Sequence, residues 1–393
     1  MRSVPNAVLC LSHLRWKFVY QRPQHLLSRC ARERRVIFFE EPLYDGGETE
    51  LELTETPEGV LTIVPHLAPG TSFERAEAVQ RKMIDHVLEE LAVPEPILWY
   101  YTPMALGFTD HVNAAAVVYD CMDELSMFQG APPELVQRER RLLERADVVF
   151  TGGNSLYEYK RGAHHNIHPF PSSVDVDHFA RARELVEDPA DQEMIAHPRV
   201  GFFGVIDERM NLGLLSELAD MRPDLQLVMI GPVVKIDPST LPRRDNIHWL
   251  GSKTYAELPS YLAGWDVAML PFAINDSTRF ISPTKTPEYL AAGCPVVSTP
   301  IRDVVEPYGR QGLAWIANTE TEFSVAIDEA LASDQTARRA QADAFLSELS
   351  WDKTWGAMWA HVERAMAKNE APPLFRIGTG TGATQHALSK REE

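Results

Sequence analysis

Short apolar runs alternate with amphipathic helical segments along almost the whole chain. The apolar runs have the length and composition of buried strands, and the segments between them show helical periodicity. This alternation is typical of parallel sheets covered by helices, so we predict an α/β fold. A chain of 393 residues exceeds what one hydrophobic core usually supports, and we therefore expect two such domains.

The predicted strands fall into two groups. They lie at residues 7–12, 35–41, 97–101, 116–121 and 147–152 in the first half, and at 199–204, 225–231, 247–251, 266–272 and 295–300 in the second. Between the groups, prolines flank a polar stretch in which the alternation stops. We therefore predict an N-terminal domain over residues 1–172, an interdomain linker over 173–198 and a C-terminal domain over 199–349.

The end of the chain is predicted to be a helix followed by a tail. Trp351, Trp355 and Trp359 recur every four residues and share one helix face, so we expect the helix over 350–369 to pack back on the protein. Residues 370–393 are rich in Gly and Thr and have no flanking strands, which predicts a disordered tail. The acidic segment 45–59 is expected to form an exposed excursion or a hairpin.

The net charge and the cysteine content limit the classes of binding partner and the cellular compartment that we expect. The formal net charge of -18 argues against nucleic-acid binding, which needs a dense basic surface. A basic patch at 29–35 leaves two interpretations open, a weak peripheral membrane contact and a solvated helix end. The four cysteines are far apart in the sequence, which predicts neither a disulfide framework nor a metal site and fits a cytoplasmic protein, with peripheral association at the inner face of the membrane left open.

The segment 281–299 carries the strongest chemical signal. Ser282 stands where an N-cap is expected, with Pro283 at the first helical position and Thr284 and Lys285 in the first turn. A helix start with free N–H groups and an ammonium favours an anion such as a diphosphate. Glu288 lies three residues after Lys285 on the same face and could accept from ribose hydroxyls. A Lys–Glu pair on an ordinary surface helix is the alternative.

A second constellation follows the first strand of the second group. Gly204 ends the strand and permits close backbone approach, and Arg209 could bind a diphosphate through two N–H groups. Pairing of Arg209 with a neighbouring acid is the alternative. The segment lacks a GxGxxG pattern, so a dinucleotide cofactor is not expected.

The first half offers candidates for the reaction itself. Arg22 and His25 cluster where the loop after the first strand enters a helix. The strand over 116–121 delivers Asp120, Asp123 and Glu124 at its carboxyl end, where α/β domains bind ligands. These acids could orient an acceptor hydroxyl or act as a general base. Structural roles, as a core histidine and as loop-capping acids, are equally open.

The second half resembles the donor domain of GT-B glycosyltransferases, in particular the retaining, family-4-like enzymes of group 1. In that family a glutamate on this helix holds the donor ribose and precedes a Gly-x-Pro-Val-Val strand, and Glu288 followed by AAGCPVVST matches that pattern. In one respect the sequence departs from the family pattern. Glu288 corresponds to the second glutamate of the family's Glu-x7-Glu motif, and the position of the first glutamate is occupied here by Phe280. This departure leaves the donor sugar and the stereochemical course open.

The resemblance implies a GT-B fold, with two Rossmann-like doubly wound domains facing each other across a cleft. It assigns Gly204, Arg209, Ser282, Thr284, Lys285 and Glu288 to the nucleotide-sugar donor. A saccharide or lipid-linked acceptor would lie near Arg22 and Glu124, with His25, Asp120 and Asp123 as catalytic candidates. The expected activity is metal-independent hexosyl transfer in envelope or extracellular polysaccharide synthesis, with no cofactor. A sugar-nucleotide epimerase and a non-catalytic sugar-nucleotide-binding scaffold are the alternatives.

Overall fold

The computed structural model describes residues 7–370 apart from Gly46, Glu48 and Val186. The predicted tail over 370–393 lies almost wholly outside the described residues. The first domain is built on an eight-stranded sheet of order β3-β4-β2-β1-β5-β6-β7-β8. Its strands are β1 (Ala7–Ser12), β2 (Arg35–Glu40), β3 (Glu50–Glu55), β4 (Val60–His66), β5 (Ile97–Tyr100), β6 (Ala116–Cys121), β7 (Val148–Thr151) and β8 (Ile167–Pro169). Its helices are α1 (Arg22–Ala31), α2 (Phe73–Glu90), α3 (Leu106–Thr109), α4 (Leu135–Arg145) and α5 (Asn154–Lys160).

The second domain has a six-stranded sheet of order β11-β10-β9-β12-β13-β14. Its strands are β9 (Arg199–Phe203), β10 (Gln226–Ile230), β11 (Ile247–Gly251), β12 (Val267–Leu270), β13 (Val296–Ser298) and β14 (Ala314–Ile316). The remaining helices are α6 (Val176–Ala180), α7 (Leu212–Met221), α8 (Leu258–Ala263), α9 (Lys285–Ala292), α10 (Arg302–Val304), α11 (Glu320–Ala332), α12 (Gln335–Leu346) and α13 (Trp351–Glu370).

All described strand pairs are parallel except β3 with β4. The central strands are buried on both faces, which explains why they are continuous apolar runs in the sequence. The predicted α/β fold with two Rossmann-like domains is confirmed. The acidic segment forms a hairpin, in which exposed Glu side chains of β3 cover the outer edge of the first sheet.

Helix α13 follows the second domain in sequence but packs on the first. Trp351 is 1% exposed and joins Met358 and Val362 in a core with the strands of the first sheet. Asp352 accepts from Arg29 and Arg32 of the basic patch, and the Arg34 guanidinium lies over the Trp359 ring. Most arginines of the basic patch therefore contact α13 and hold it against the first domain.

The segment over 173–198 packs on the second domain. Val174, Phe179 and Ile195 belong to the core of that domain, and the Asp175 side chain caps α6 by accepting from the His178 N–H. The chain therefore crosses between the domains over the few residues between Pro169 of β8 and Val176 of α6. The carboxyl ends of both sheets border the cleft formed there.

Candidate active site

A cavity of about 500 Å³ lies between the two domains. Asp123 and Gly152 line it at the carboxyl ends of β6 and β7, and Gly204 and Gly231 line it at the carboxyl ends of β9 and β10. Helix α9 presents its first turn to the same space. Ligands of doubly wound domains bind at this edge of the sheet, and a cavity between two such edges can hold two substrates.

Helix α9 begins later than the sequence predicted. Its N-cap is Thr284, so Ser282 and Pro283 lie in the preceding turn and the expected Ser282 cap was wrong. Ser282, Thr284 and Lys285 nevertheless all line the cavity. Gly293 ends the helix at φ 84°, a left-handed conformation that glycine adopts at low cost.

The Lys285 ammonium is available for an anionic ligand. Among the residues that the structure describes, no carboxylate lies within 4.0 Å of it. The side chain passes Gly204, and its ammonium lies 5.8 Å from the centre of the Phe202 ring. Burial lowers the pKa of Lys285, and the negative charge of Glu288 opposes that shift. A diphosphate would supply the counter-charge that this site lacks.

Glu288 lies one turn further along the same helix face and is 6% exposed. Burial raises the pKa of its carboxyl group, and Lys285 acts in the opposite direction. The Tyr255 hydroxyl, also at the cavity, is buried without a hydrogen-bond partner within the described residues. Glu288 and Tyr255 both belong to residues that line the cavity.

Two glycines let the backbone approach the cavity closely. Gly204 has φ 140° and Gly231 has φ 142°, a region that other residues rarely adopt. A Cβ at Gly204 would lie 2.1 Å from Lys285 Cε, and one at Gly231 would lie 1.8 Å from the Gly204 carbonyl oxygen. Any side chain at Gly204 would therefore displace Lys285.

Arg209 also lines the cavity, but it is paired. Its guanidinium donates to both carboxylate oxygens of Asp207, with Nη2 at 2.7 Å from Oδ2. Asp207 is 3% exposed, so it fixes the direction of Arg209 at the cavity wall. Arg209 is thus paired with a neighbouring acid and also lies at the cavity, and its binding of a diphosphate stays a prediction.

Asp120 is corrected from a catalytic candidate to a structural residue. It is 0% exposed and accepts three hydrogen bonds from Arg22, at 2.8 to 3.1 Å. Arg22 reaches the cavity wall and also donates to the Phe170 carbonyl at 2.6 Å. Both carboxylate oxygens of Asp120 are thus engaged by Arg22.

His25 and Glu124 are corrected in the same way, because neither is among the residues that line the cavity. His25 is 3% exposed and stacks on Trp351 at 4.5 Å, and burial holds its pKa well below the usual value. Glu124 is 6% exposed and forms an ion pair with Lys160 at 2.5 Å. His25 also lies 5.5 Å from the Tyr255 ring of the second domain, so its role is packing, whereas Glu124 is held in an ion pair within the first domain.

Asp123 remains in the cavity after these corrections. It lies between the two domains, and burial raises its pKa to about 6, an effect that Arg209 and Arg22 partly offset. A carboxyl group with a pKa near the working pH can exchange a proton or orient a hydroxyl. Asp120, which is held by Arg22, and Asp123, which lines the cavity, are thus only three positions apart in the sequence.

The structure adds residues that sequence reasoning missed. Residues 16–21, after β1, line the cavity from the first domain, and Tyr255 lines it from the second. Tyr20 stacks on one face of the Tyr255 ring at 4.6 Å, and His178 stacks on the ring at 4.1 Å. The aromatic residues in the loop after the first strand were the available signal; their partner lies over 200 residues away in sequence.

Phe280 does not line the cavity. It is 6% exposed, packs with the core of the first domain and stacks on Tyr159 at 4.5 Å. The side chain at this position therefore fastens the second domain to the first.

The C-terminal domain also matches a known family. Residues 197–333 match the model described as glycosyl transferases group 1.

The second domain is thus similar to group 1 glycosyltransferase domains.

One curated relative of this group 1 domain protein is TuaH of Bacillus subtilis (strain 168), a candidate teichuronic acid biosynthesis glycosyltransferase, 24% identical over 222 residues. The match covers 51% of this chain and 55% of the relative, so it spans about half the length of each.

Solved GT-B structures are similar over nearly the whole chain. Sucrose-phosphate synthase from Thermosynechococcus elongatus has a TM-score of 0.70 at 15% identity, and the match covers 92% of this chain and 100% of that one. The Anabaena protein Alr3699/HepE, in complex with UDP and glucose, has a TM-score of 0.66 at 13% identity, with 91% of this chain and 99% of that one covered. The group 1 domain protein therefore has the GT-B fold.

Proposed function

We propose that the protein transfers a sugar from a nucleoside-diphosphate-sugar to a hydroxyl group of an acceptor. One observation carries the proposal: the Lys285 ammonium, which has no carboxylate partner within the described part of the chain, lies with the buried carboxyl of Glu288 at a helix start that faces a cavity between two domains. The ammonium fits a diphosphate and the carboxylate fits ribose hydroxyls. The second-domain family and the complexes of HepE with UDP and glucose support this choice of donor.

In the proposed reaction the bond between the anomeric carbon and the diphosphate oxygen breaks, and the acceptor oxygen bonds to that carbon. Lys285, Arg209 and the start of α9 stabilise the negative charge that develops on the leaving diphosphate. We propose retention of the anomeric configuration, with the acceptor proton passing to the diphosphate. Ionised Asp123 would orient the acceptor hydroxyl, a positioning role that requires no metal.

The acceptor is proposed to be a saccharide or a lipid-linked sugar of an envelope or extracellular polysaccharide, consistent with the description of TuaH. We propose that the reaction takes place in the cytoplasm. Cys10, Cys30, Cys121 and Cys294 are all free and buried, as expected for a reducing compartment. Among the described helices, none is long and apolar enough to cross a membrane.

Nucleotide binding tests the proposal. UDP, GDP and ADP are titrated into the wild type by calorimetry, and one of them should bind and raise the unfolding temperature. Lys285→Ala should weaken that nucleotide at least tenfold, and Glu288→Ala should cost about 2–4 kcal/mol of binding free energy because it removes a buried, hydrogen-bonded charge. Lys82→Ala and Glu89→Ala, at exposed positions of α2, are charge-matched controls. Unchanged affinity in both cavity variants would refute the site.

Incubation with donor alone then separates transfer from epimerisation. The proposed transferase leaves the sugar configuration of the donor unchanged without an acceptor. NMR of the anomeric proton in the glycosylated product tests retention.

A further inference from the structure

The first domain contains a second cavity, of about 220 Å³, which we call the side cavity. Ser12 at the end of β1 and Glu40 at the end of β2 form one part of its wall, and Ala76 of α2 lies in another. Its position is the carboxyl edge of the first sheet, the same edge that borders the interdomain cavity. Binding sites of α/β domains occur at this edge.

The walls of the side cavity are mostly apolar. Leu11, Phe39, Ala76 and Ala105 are each at most 3% exposed, and Phe108 lies beside Phe39 with ring centres 5.9 Å apart. Such a surface has no preferred partner other than an apolar group.

The polar groups of the wall are engaged within the protein. The Glu40 carboxylate accepts from the Trp16 N–H at 2.9 Å and from Arg15 at 3.0 Å, and Glu77 pairs with Arg138. The Ser12 hydroxyl accepts from the Leu14 N–H at 2.9 Å. Glu41 lies exposed at the rim. Inside the side cavity, Glu40 and Glu77 are already paired within the protein, and the remaining surface is mostly apolar. The side cavity therefore disfavours a charged ligand.

Exposed aromatic residues mark its mouth. Tyr44 and Phe73 line the side cavity and are 48% and 42% exposed, and Leu43 beside them is 37% exposed. Exposed apolar side chains gathered around a concave site are typical of ligand-binding surfaces.

The two cavities are neighbours through one hydrogen bond. Trp16, whose N–H is held by Glu40 of the side cavity, lines the interdomain cavity. The chain from the end of β1 to Trp16 thus borders both cavities.

We propose that the side cavity binds an apolar aglycone, a hydrocarbon chain attached to the sugar that accepts the transfer. The inference rests on the proposed function and narrows the acceptor to an amphipathic glycoside. The side cavity, of about 220 Å³, can hold part of a short hydrocarbon chain. Each methylene removed from water favours binding by roughly fourfold at most, so the chain can dominate acceptor affinity.

Two glucosides that differ in the aglycone alone test the inference. n-Octyl β-D-glucopyranoside, below its micelle concentration, and methyl β-D-glucopyranoside are titrated into the full chain by calorimetry. The octyl glucoside should bind at least thirtyfold more tightly. Ala76→Leu, which fills the side cavity from α2, should lower the affinity for the octyl glucoside at least tenfold. Ala78→Leu, at an exposed position of the same helix, should leave it unchanged.

Equal affinity for the two glucosides, or octyl affinity that Ala76→Leu does not change, would overturn the inference. If Ala76→Leu does not fold, Phe73→Ser at the exposed mouth replaces it and should weaken the octyl glucoside at least threefold; no change again overturns it. The nucleotide titration separates the two claims. A chain that binds none of UDP, GDP and ADP refutes the proposed function, whereas normal nucleotide binding without an octyl preference refutes the aglycone site alone.

Discussion

Replacing Asp120 by Asn should destabilise the first domain strongly. The Arg22 and Asp120 side chains are 1% and 0% exposed and share three hydrogen bonds. Asn keeps the shape but removes the charge, so the guanidinium is left buried without its counter-ion. Breaking such a pair from one side costs about 3–5 kcal/mol, a large share of the roughly 5–15 kcal/mol by which a domain is stable.

Urea unfolding followed by tryptophan fluorescence measures this loss, because Trp99 and Trp351 lie in the same core as the strands near the pair. Asp110→Asn is the matched control. Asp110 pairs with Arg81 at 2.7 Å in the same domain, but its side chain is 39% exposed. Exposed pairs contribute about 0–1 kcal/mol, so this variant should unfold almost like the wild type.

A double variant sharpens the test. Arg22→Met with Asp120→Leu removes both charges and should be less destabilised than Asp120→Asn, because no lone charge remains buried. If Asp120→Asn lost less than about 1 kcal/mol of stability and yet abolished transfer, the structural assignment would be refuted and Asp120 would be catalytic.

Two further predictions concern the cavity. Asp123→Asn should reduce transfer by about 10²-fold with unchanged nucleotide affinity, because it removes the group that orients the acceptor hydroxyl. In the wild type, activity should fall as the pH falls through about 6, since protonation removes the carboxylate, and this limb should be absent in the variant; a retained limb would contradict the assignment. Tyr255→Phe should weaken UDP, or whichever nucleotide binds, by about 0.5–1.5 kcal/mol if its hydroxyl bonds to the ribose. If the Tyr255 hydroxyl bonds to one ribose hydroxyl, the deoxynucleotide that lacks this hydroxyl should bind the variant no more weakly than it binds the wild type. If the affinity losses from the substitution and from each deoxy change add in full, the contact is excluded.

Several site residues could be named from the sequence because their signals are local. Lys285 and Glu288 are one turn apart on one short helix, and any helix there places them on the same face. Gly204 follows an apolar strand, so its place at the sheet edge follows from the strand itself. The cap of α9 was misplaced by two residues, because Pro283 suits both a helix start and the turn before it.

Other residues could not be assigned from the sequence because their partners are distant. Asp120, Asp123 and Glu124 lie within five positions and look equivalent, yet Arg22 neutralises the first and Lys160 the third. Strand β14, three residues long, carries too short a pattern to predict.

The sequence by itself determined the two α/β domains and the helix that carries Lys285 and Glu288, since both depend on the order of apolar and polar residues within short segments. Tertiary structure alone decided which acids stay free, that Phe280 anchors the first domain, and that Tyr20 and Tyr255 meet at the cleft. These outcomes depend on burial and on contacts between residues that are distant in sequence, such as Arg22 and Asp120, which are 98 residues apart. Only the folded chain brings such groups together and removes the water that would otherwise solvate them.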